Sequence, residues 1–320
     1  MRKQQKSTVE IDRTSLQWIF TAFCLLLSGC AVPRRVTQHE GNGVIRATVS
    51  TAMVADIVRN VGGSRVEATT LMGAGVDPHL YKASLSDVRK LANAEIVFYN
   101  GLHLEGKLGE VLSKLQTSRP VVAVSETIPK SELRTPPEFE GSPDPHVWFD
   151  VQLWMRATEA TRDELVKFDP AGKADYERNA TRYLAQLKSV DEYARKQIAT
   201  IPRGRRVLVT AHDAFGYFGR AYDIEVVGLQ GISTASEYGL GDVQRLVQLL
   251  VKRNVKAVFV ESSIPRRAIE AVAQGCAARG HNVVIGGELY ADAMGAPNTP
   301  EGTYIGMVKA NVDTVVKALK

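Results

Sequence analysis

Two copies of one tripeptide, Asp77-Pro78-His79 and Asp144-Pro145-His146, occur in a chain with only six histidines. Proline holds its own φ at about −65° and drives the preceding residue out of helical geometry, so each imidazole is presented from a stiff, extended turn. A rigid mount suits a metal ligand or a catalytic imidazole. For a single copy the plainer reading is an Asp-Pro turn with an incidental His; the second copy favours chemistry. Two further residues hold comparable positions. His212 directly follows the apolar run ending Val209-Thr210-Ala211, and Asp292 follows the last apolar run, in Leu289-Tyr290-Ala291-Asp292-Ala293-Met294-Gly295.

Alternating strand and helix patterns must position these four. In the first half, strands are expected over 44–49, 65–71, 95–99 and 120–124, with helices over 53–61, 84–92, 104–115 and 151–168. Ser84 can cap the second helix. A Pro-rich loop over 131–145 delivers His146. The second half repeats the plan, with strands over 206–210, 224–227, 255–260 and 281–285 and helices over 214–221, 240–253, 266–279 and 303–319. Strands that are apolar throughout and separated by helices belong to parallel sheets covered on both faces. Between the halves, Tyr176, Ala180, Tyr183, Leu187, Val190 and Ala194 recur at spacings of three and four, with no Gly or Pro after Gly172 until Pro202. They predict a long amphipathic helix of about 40 Å. The expected fold is α/β: two lobes, each a parallel sheet flanked by helices, joined by one long rigid α-helix. The expected divisions are a signal peptide over 1–29, a flexible tether over 30–43, an N-terminal lobe over 44–168, the linking helix over 169–201 and a C-terminal lobe over 202–320.

Ligands of open α/β sheets gather beyond the carboxyl ends of the strands. His79 and His146 fall there in the first lobe, and His212 and Asp292 in the second, so all four can converge on the cleft. Three imidazoles and a carboxylate make a tetrahedral-like site for a transition metal. Three His with an exchangeable water would instead make a hydrolytic zinc centre, with Glu261 or Asp213 as general base. Asp292 in the fourth position leaves that water no room. No His-Glu-x-x-His helix, nucleophile elbow or phosphate-cradling Gly loop supports an enzyme. Asp213 and Asp150 are candidates to orient a ligand imidazole. Of the remaining histidines, His39 falls in the tether, His103 is expected to be structural or to support a ligand, and His281 to be exposed at the start of a strand.

The composition, 44% hydrophobic and 23% charged, is that of an ordinary globular protein. The net charge of +5 is spread without a basic block or aromatic–basic interleaving, which argues against nucleic acid as a partner. The N-terminus has basic residues, then an apolar run over 16–27, then Leu27-Ser28-Gly29-Cys30. This is the layout of a secretory signal, too short for a comfortable membrane span. A Cys after small residues resembles a bacterial lipobox, in which Cys30 is lipidated and becomes the mature N-terminus. Residues 31–42 lack periodicity and read as the tether. With Cys24 removed and Cys30 lipidated, Cys276 is left alone as a buried or half-buried small hydrophobe, and no intramolecular disulfide is available.

The combined motifs resemble those of the TroA-like solute-binding lipoproteins of zinc/manganese ABC importers. The matching stretches in the first lobe are Val76-Asp77-Pro78-His79-Leu80-Tyr81, Tyr99-Asn100-Gly101-Leu102-His103-Leu104-Glu105-Gly106 and Pro143-Asp144-Pro145-His146-Val147-Trp148. In the second lobe they are Ala211-His212-Asp213-Ala214-Phe215-Gly216-Tyr217, Gly228-Leu229-Gln230-Gly231-Ile232-Ser233-Thr234 and Gly286-Gly287-Glu288-Leu289-Tyr290-Ala291-Asp292-Ala293-Met294-Gly295. The resemblance spans the chain from about Val44 to its end. It implies a fold of the cluster A-I solute-binding type. It also implies that His79, His146, His212 and Asp292 are ligands for one transported Zn²⁺ or Mn²⁺, with Fe²⁺ behind. The partner it implies is an ABC permease, served by a lipid-anchored, extracytoplasmic, monomeric binding protein rather than an enzyme. A surface adhesin is a compatible additional role.

Overall fold

The computed structural model describes residues 38–39, 43–139 and 141–320. The expected signal peptide, Cys30 and most of the tether lie outside the described residues. Strands β1 (Ile45–Val49), β2 (Val66–Thr70), β3 (Ile96–Tyr99) and β4 (Val121–Ala123) form one parallel sheet in the order β2-β1-β3-β4. Ala47 pairs with Ala68 on one side and Ile96 on the other. Ile45, Val49, Ile96 and Phe98 are wholly buried, as strands covered on both faces must be. Helix α1 (Ala52–Gly62) is capped by Thr51, which accepts the Val54 N–H, and buries Met53, Val54, Ile57, Val58 and Val61. Helix α2 (Leu85–Asn93) starts at the expected Ser84, which forms a reciprocal capping box with Asp87.

The expected helix over 104–115 shortens to α3 (Gly109–Leu115). Gly101, Leu102 and His103 before it all have positive φ, at 86°, 54° and 66°. This stretch wraps the buried carboxylate of Glu105, which accepts the N–H groups of Asn100 and Gly101 and the Ser50 hydroxyl. A buried carboxylate must find donors, and here that need overrides the apolar period of a helix.

Helix α4 (Val151–Phe168) begins at Asp150, which accepts the Gln152 N–H, and leads through a 3-10 turn at Pro170–Gly172 into α5 (Lys173–Ile198). At 1.5 Å per residue the 26 residues of α5 span about 39 Å. Its buried face carries the expected Tyr176, Ala180, Tyr183, Leu187, Val190 and Ala194. The Tyr183 hydroxyl donates to Asp56 of α1 at 2.5 Å, and the Tyr176 hydroxyl donates to Asp169, which also pairs with Arg65.

The second lobe holds two parallel ladders, β5 (Val207–His212) with β6 (Glu225–Gln230) and β7 (Ala257–Glu261) with β8 (Val284–Leu289). β5 and β7 run side by side, so the order β6-β5-β7-β8 repeats that of the first lobe. Helices α6 (Gly216–Tyr222), α7 (Leu240–Arg253), α8 (Arg267–Ala277) and α9 (Tyr304–Leu319) complete it. β8 begins three residues later than expected, and His281 is buried rather than exposed. Its Nε2 donates to the Val255 carbonyl at 2.7 Å, tying the approach to β8 to the approach to β7. Cys276 is buried as expected. Among the described residues, no helix is long and apolar enough to cross a membrane.

Candidate metal centre

His79 and His146 stand on turns of identical local construction. In each, the Asp two residues earlier accepts the His backbone N–H, at 2.9 Å from Asp77 Oδ1 and 3.0 Å from Asp144 Oδ1. Asp144 Oδ1 additionally accepts His146 Nδ1–H at 2.8 Å, which fixes the tautomer and leaves Nε2 facing the centre. His212 is the last residue of β5, and Glu261 the last of the neighbouring β7. Glu261 accepts the His212 backbone N–H at 2.9 Å and its Nδ1–H at 2.6 Å. Asp292 lies just past β8.

The four side chains are buried and meet at one point, with ligating atoms all within 4.8 Å of one another. His79 Nε2 is 3.3 Å from His146 Nε2 and 3.6 Å from Asp292 Oδ2. His146 Nε2 is 3.3 Å from Asp292 Oδ1, and His212 Nε2 is 3.3 Å from Asp292 Oδ2. An ion with bonds of about 2.0–2.1 Å in tetrahedral geometry holds its ligands about 3.3–3.4 Å apart. The four closest contacts, at 3.3–3.6 Å, match that spacing. Both oxygens of Asp292 and Nε2 of His212 are buried without a hydrogen-bond partner among the described residues. Orphaned buried carboxylate oxygens are costly, and a cation between these groups removes the cost.

The electrostatics separate the imidazoles. Burial pushes His79 down to about 3, with Asp292 pulling only partly the other way. Burial also acts on His146, but Asp144 and Asp292 together outweigh it and raise that group to about 9. His212 is likewise raised, because Glu261 and Asp292 overcome its burial. Asp292 is held well below the usual carboxylate range, since the attraction of His212 and His146 exceeds the effect of its burial.

Several expectations are corrected at this point. Asp150 orients no imidazole: it caps α4 and faces Arg220. Nor does Asp213 hold a ligand; its carboxyl is raised by burial and by the charge of Asp144. The orienting carboxylates are Asp144 and Glu261. Sequence reasoning missed both in this role: Glu261 was offered only as a general base, and Asp144 was passed over although its spacing from His146 repeats that of Asp77 from His79. Glu261 is no general base, because His212 occupies both its oxygens. His103 is exposed on its turn and supports no ligand. His39 is docked: its N–H donates to the Phe168 carbonyl and its Nδ1 pairs with Glu95 at 3.0 Å.

Trp148, two residues after His146, closes the back of the centre. Its ring packs on His146 with centroids 5.2 Å apart, and its indole N–H donates to the Ala291 carbonyl beside Asp292 at 3.2 Å. Tyr304 of α9 returns a bond from its hydroxyl to the Trp148 carbonyl at 2.6 Å. The two lobes thus share the scaffold of the site.

Comparison with known proteins agrees with this architecture. The chain is 50% identical over 306 residues to "Manganese-binding lipoprotein MntA" of Bacillus subtilis (strain 168), covering 94% of this chain and 97% of that protein. It is 51% identical over 280 residues to "Zinc-binding protein TroA" of Treponema pallidum (strain Nichols), covering 88% and 90%. The solved structure of the periplasmic zinc binding protein TroA from Treponema pallidum superposes with a TM-score of 0.84 at 50% identity, over 87% of this chain and 99% of that one. The family model described as ZnuA, zinc-uptake complex component A, periplasmic, matches residues 48–318. With a match over that span and relatives at half identity, the chain belongs to the ZnuA family of metal-binding components of uptake systems.

Proposed function

We propose that this protein is the solute-binding component of a transition-metal ABC importer, capturing one divalent ion per chain and handing it to the permease. His79, His146, His212 and Asp292 are the proposed ligands. The observation that carries the reading is the meeting of three imidazole nitrogens and an unpartnered, buried carboxylate at metal-ligand spacing. Capture is favoured over the hydrolase alternative, because Asp292 lies among the three imidazoles where a hydrolytic water would sit and Glu261 is engaged by His212.

The ion is Zn²⁺ or Mn²⁺, with Fe²⁺ behind. Three nitrogens and a carboxylate suit Zn²⁺, whose raw affinity for such a set exceeds that of Mn²⁺. One relative is named for manganese and another for zinc at nearly equal identity, so relatedness favours neither. Lipidation at Cys30 and an extracytoplasmic position, with residues 30–43 as tether, are part of the proposal. Support comes from the lipobox-like Leu27-Ser28-Gly29-Cys30 and from a relative named as a lipoprotein. The protein works as a monomer whose lobes close only modestly, because α5 is a continuous helix packed on both lobes. A large closure on metal addition, seen by solution scattering, would contradict that.

Elemental analysis after purification from the native host, followed by Zn²⁺/Mn²⁺ competition, tests the function and chooses the ion. An ion present in the wild-type chain and equally abundant in Asp292→Ala would refute the ligand set.

A further inference from the structure

Arg134 lies in the Pro-rich loop of the first lobe and touches none of the four proposed ligands directly. Its Nη1 donates to Asp144 Oδ2 at 2.6 Å, while the other oxygen of the same carboxylate holds His146 Nδ1 at 2.8 Å. The buried Asp144 is thus gripped from both sides. The same guanidinium crosses to the second lobe and rests on Gly216, the first residue of α6. A Cβ on Gly216 would fall 1.2 Å from Arg134 Nη1 and 2.1 Å from Cζ. Gly216 is not among the glycines with positive φ. Its backbone is therefore open to other residues, and its missing side chain supplies room for the guanidinium. The neighbouring Tyr217 uses its hydroxyl twice, accepting the Arg134 backbone N–H at 3.0 Å and donating to the Asp144 carbonyl at 2.9 Å. Its ring lies 5.8 Å from the guanidinium carbon. Asp144 N–H also donates to the Arg134 carbonyl at 2.8 Å, so one residue of the second lobe pins both ends of a closed loop.

We propose that Arg134 is a positioning residue for metal capture: seated on Gly216 across the cleft, it locks Asp144, and through it His146, in the ligating orientation. This inference rests on the metal-capture reading above. Arginine suits the role because its planar fork can bond a carboxylate with one edge while lying flat on a glycine and beside an aromatic ring.

The test is release of Zn²⁺ from the full chain to a chromogenic chelator in a stopped-flow mixer. Wild type is compared with Arg134→Met, Arg134→Lys, Gly216→Ala and the Met/Ala double variant. Loss of an outer partner of a metal ligand typically costs about ten- to a hundredfold. Arg134→Met and Gly216→Ala should each speed release by about tenfold or more. The double variant should be no faster than the faster single one, since the added Cβ and the lost guanidinium empty the same seat. Arg134→Lys should fall between wild type and Met. With Co²⁺ in place of Zn²⁺, Arg134→Met should change the visible absorption bands, which a merely structural role would leave alone. Wild-type release from Arg134→Met, multiplied effects in the double variant, or unchanged Co²⁺ bands would each overturn the proposal. If Gly216→Ala does not fold, the Met and Lys variants decide it. A wild-type chain that binds no metal would refute the capture reading itself.

Discussion

The tripeptide Asp-Pro-His is used twice and does two different jobs. Locally the copies are alike, with the Asp closing on the His backbone N–H at 2.9 Å in one and 3.0 Å in the other. They part company beyond the turn. Asp144 spends its remaining capacity on His146 Nδ1 and Arg134, inside a region fastened to the second lobe by Tyr217, Trp148, Tyr304 and the Phe149–Phe215 ring contact at 4.2 Å. Asp77 instead accepts the Thr234 hydroxyl across the cleft on its second oxygen at 2.6 Å, from a half-exposed loop. One imidazole is raised to about 9 and the other lowered to about 3. A sequence motif sets the backbone turn; the charge and stiffness of the residue it carries come from whatever the fold places against it.

The largest expected effect is on proton release. His146 and His212 are both held above the ordinary imidazole value, so protons compete with the ion for these two nitrogens and are displaced when it arrives. Affinity therefore rises with pH from neutrality up to at least about 9, where His146 gives up its proton. One to two protons per ion correspond to about ten- to a hundredfold in affinity per pH unit. This window lies higher than the reference imidazole value of about 6.5 suggests. His79 contributes no proton near neutrality. Calorimetry in buffers of different ionisation heat should count fewer protons for His146→Ala and the same number for His79→Ala; equal counts would erase the contrast between the two mounts.

Asp292 is where the two mounts meet, and its loss should disable both. Removing one member of a buried charge cluster costs about 3–5 kcal/mol, on the order of a thousandfold in affinity. Competition with a chelator of known strength would show whether Asp292→Ala falls that far. Next comes the direct comparison. Asp144→Asn keeps the turn but loses the charge that orients His146, and should weaken binding by about ten- to a hundredfold. Asp77→Asn should cost no more than about fivefold, the worth of one hydrogen bond of about 1 kcal/mol. A reversed order would mean that the loop carrying His79, not the clasp around His146, holds the site together. Smallest of all, Thr234→Val should speed release by no more than about fivefold, because it removes the single bond to Asp77 from a half-exposed surface.

Much of the fold was legible because its signals are local. Ser84 and Asp87 cap α2 as their spacing demands, and α4 and α7 run over the residues their apolar periods mark. The linking helix follows from a three-and-four stripe uninterrupted by Gly or Pro. The errors arose where a residue answers to a distant partner. Leu104 to Leu108 have a helical period but turn around the buried Glu105. His281 was read as exposed because its partner, the Val255 carbonyl, lies 26 residues away in the chain. Asp150 and Asp213 were candidates to orient an imidazole, while Glu261, offered only as a general base for the hydrolytic alternative, orients His212 because β5 and β7 lie side by side.

The sequence alone determined two α/β lobes, a stiff helix between them, and four residues at or beyond strand ends whose chemistry suits a divalent ion. Covalent neighbours suffice for that, since proline geometry, caps and apolar periods act over a few residues. The tertiary structure decided that the four converge at metal-ligand spacing, that Asp144 and Glu261 rather than Asp150 and Asp213 hold the imidazoles, and that two identical tripeptides acquire opposite electrostatics. Those outcomes depend on groups tens of residues apart meeting in a buried, poorly screened space, where a partner a few ångströms away outweighs anything written beside it in the chain.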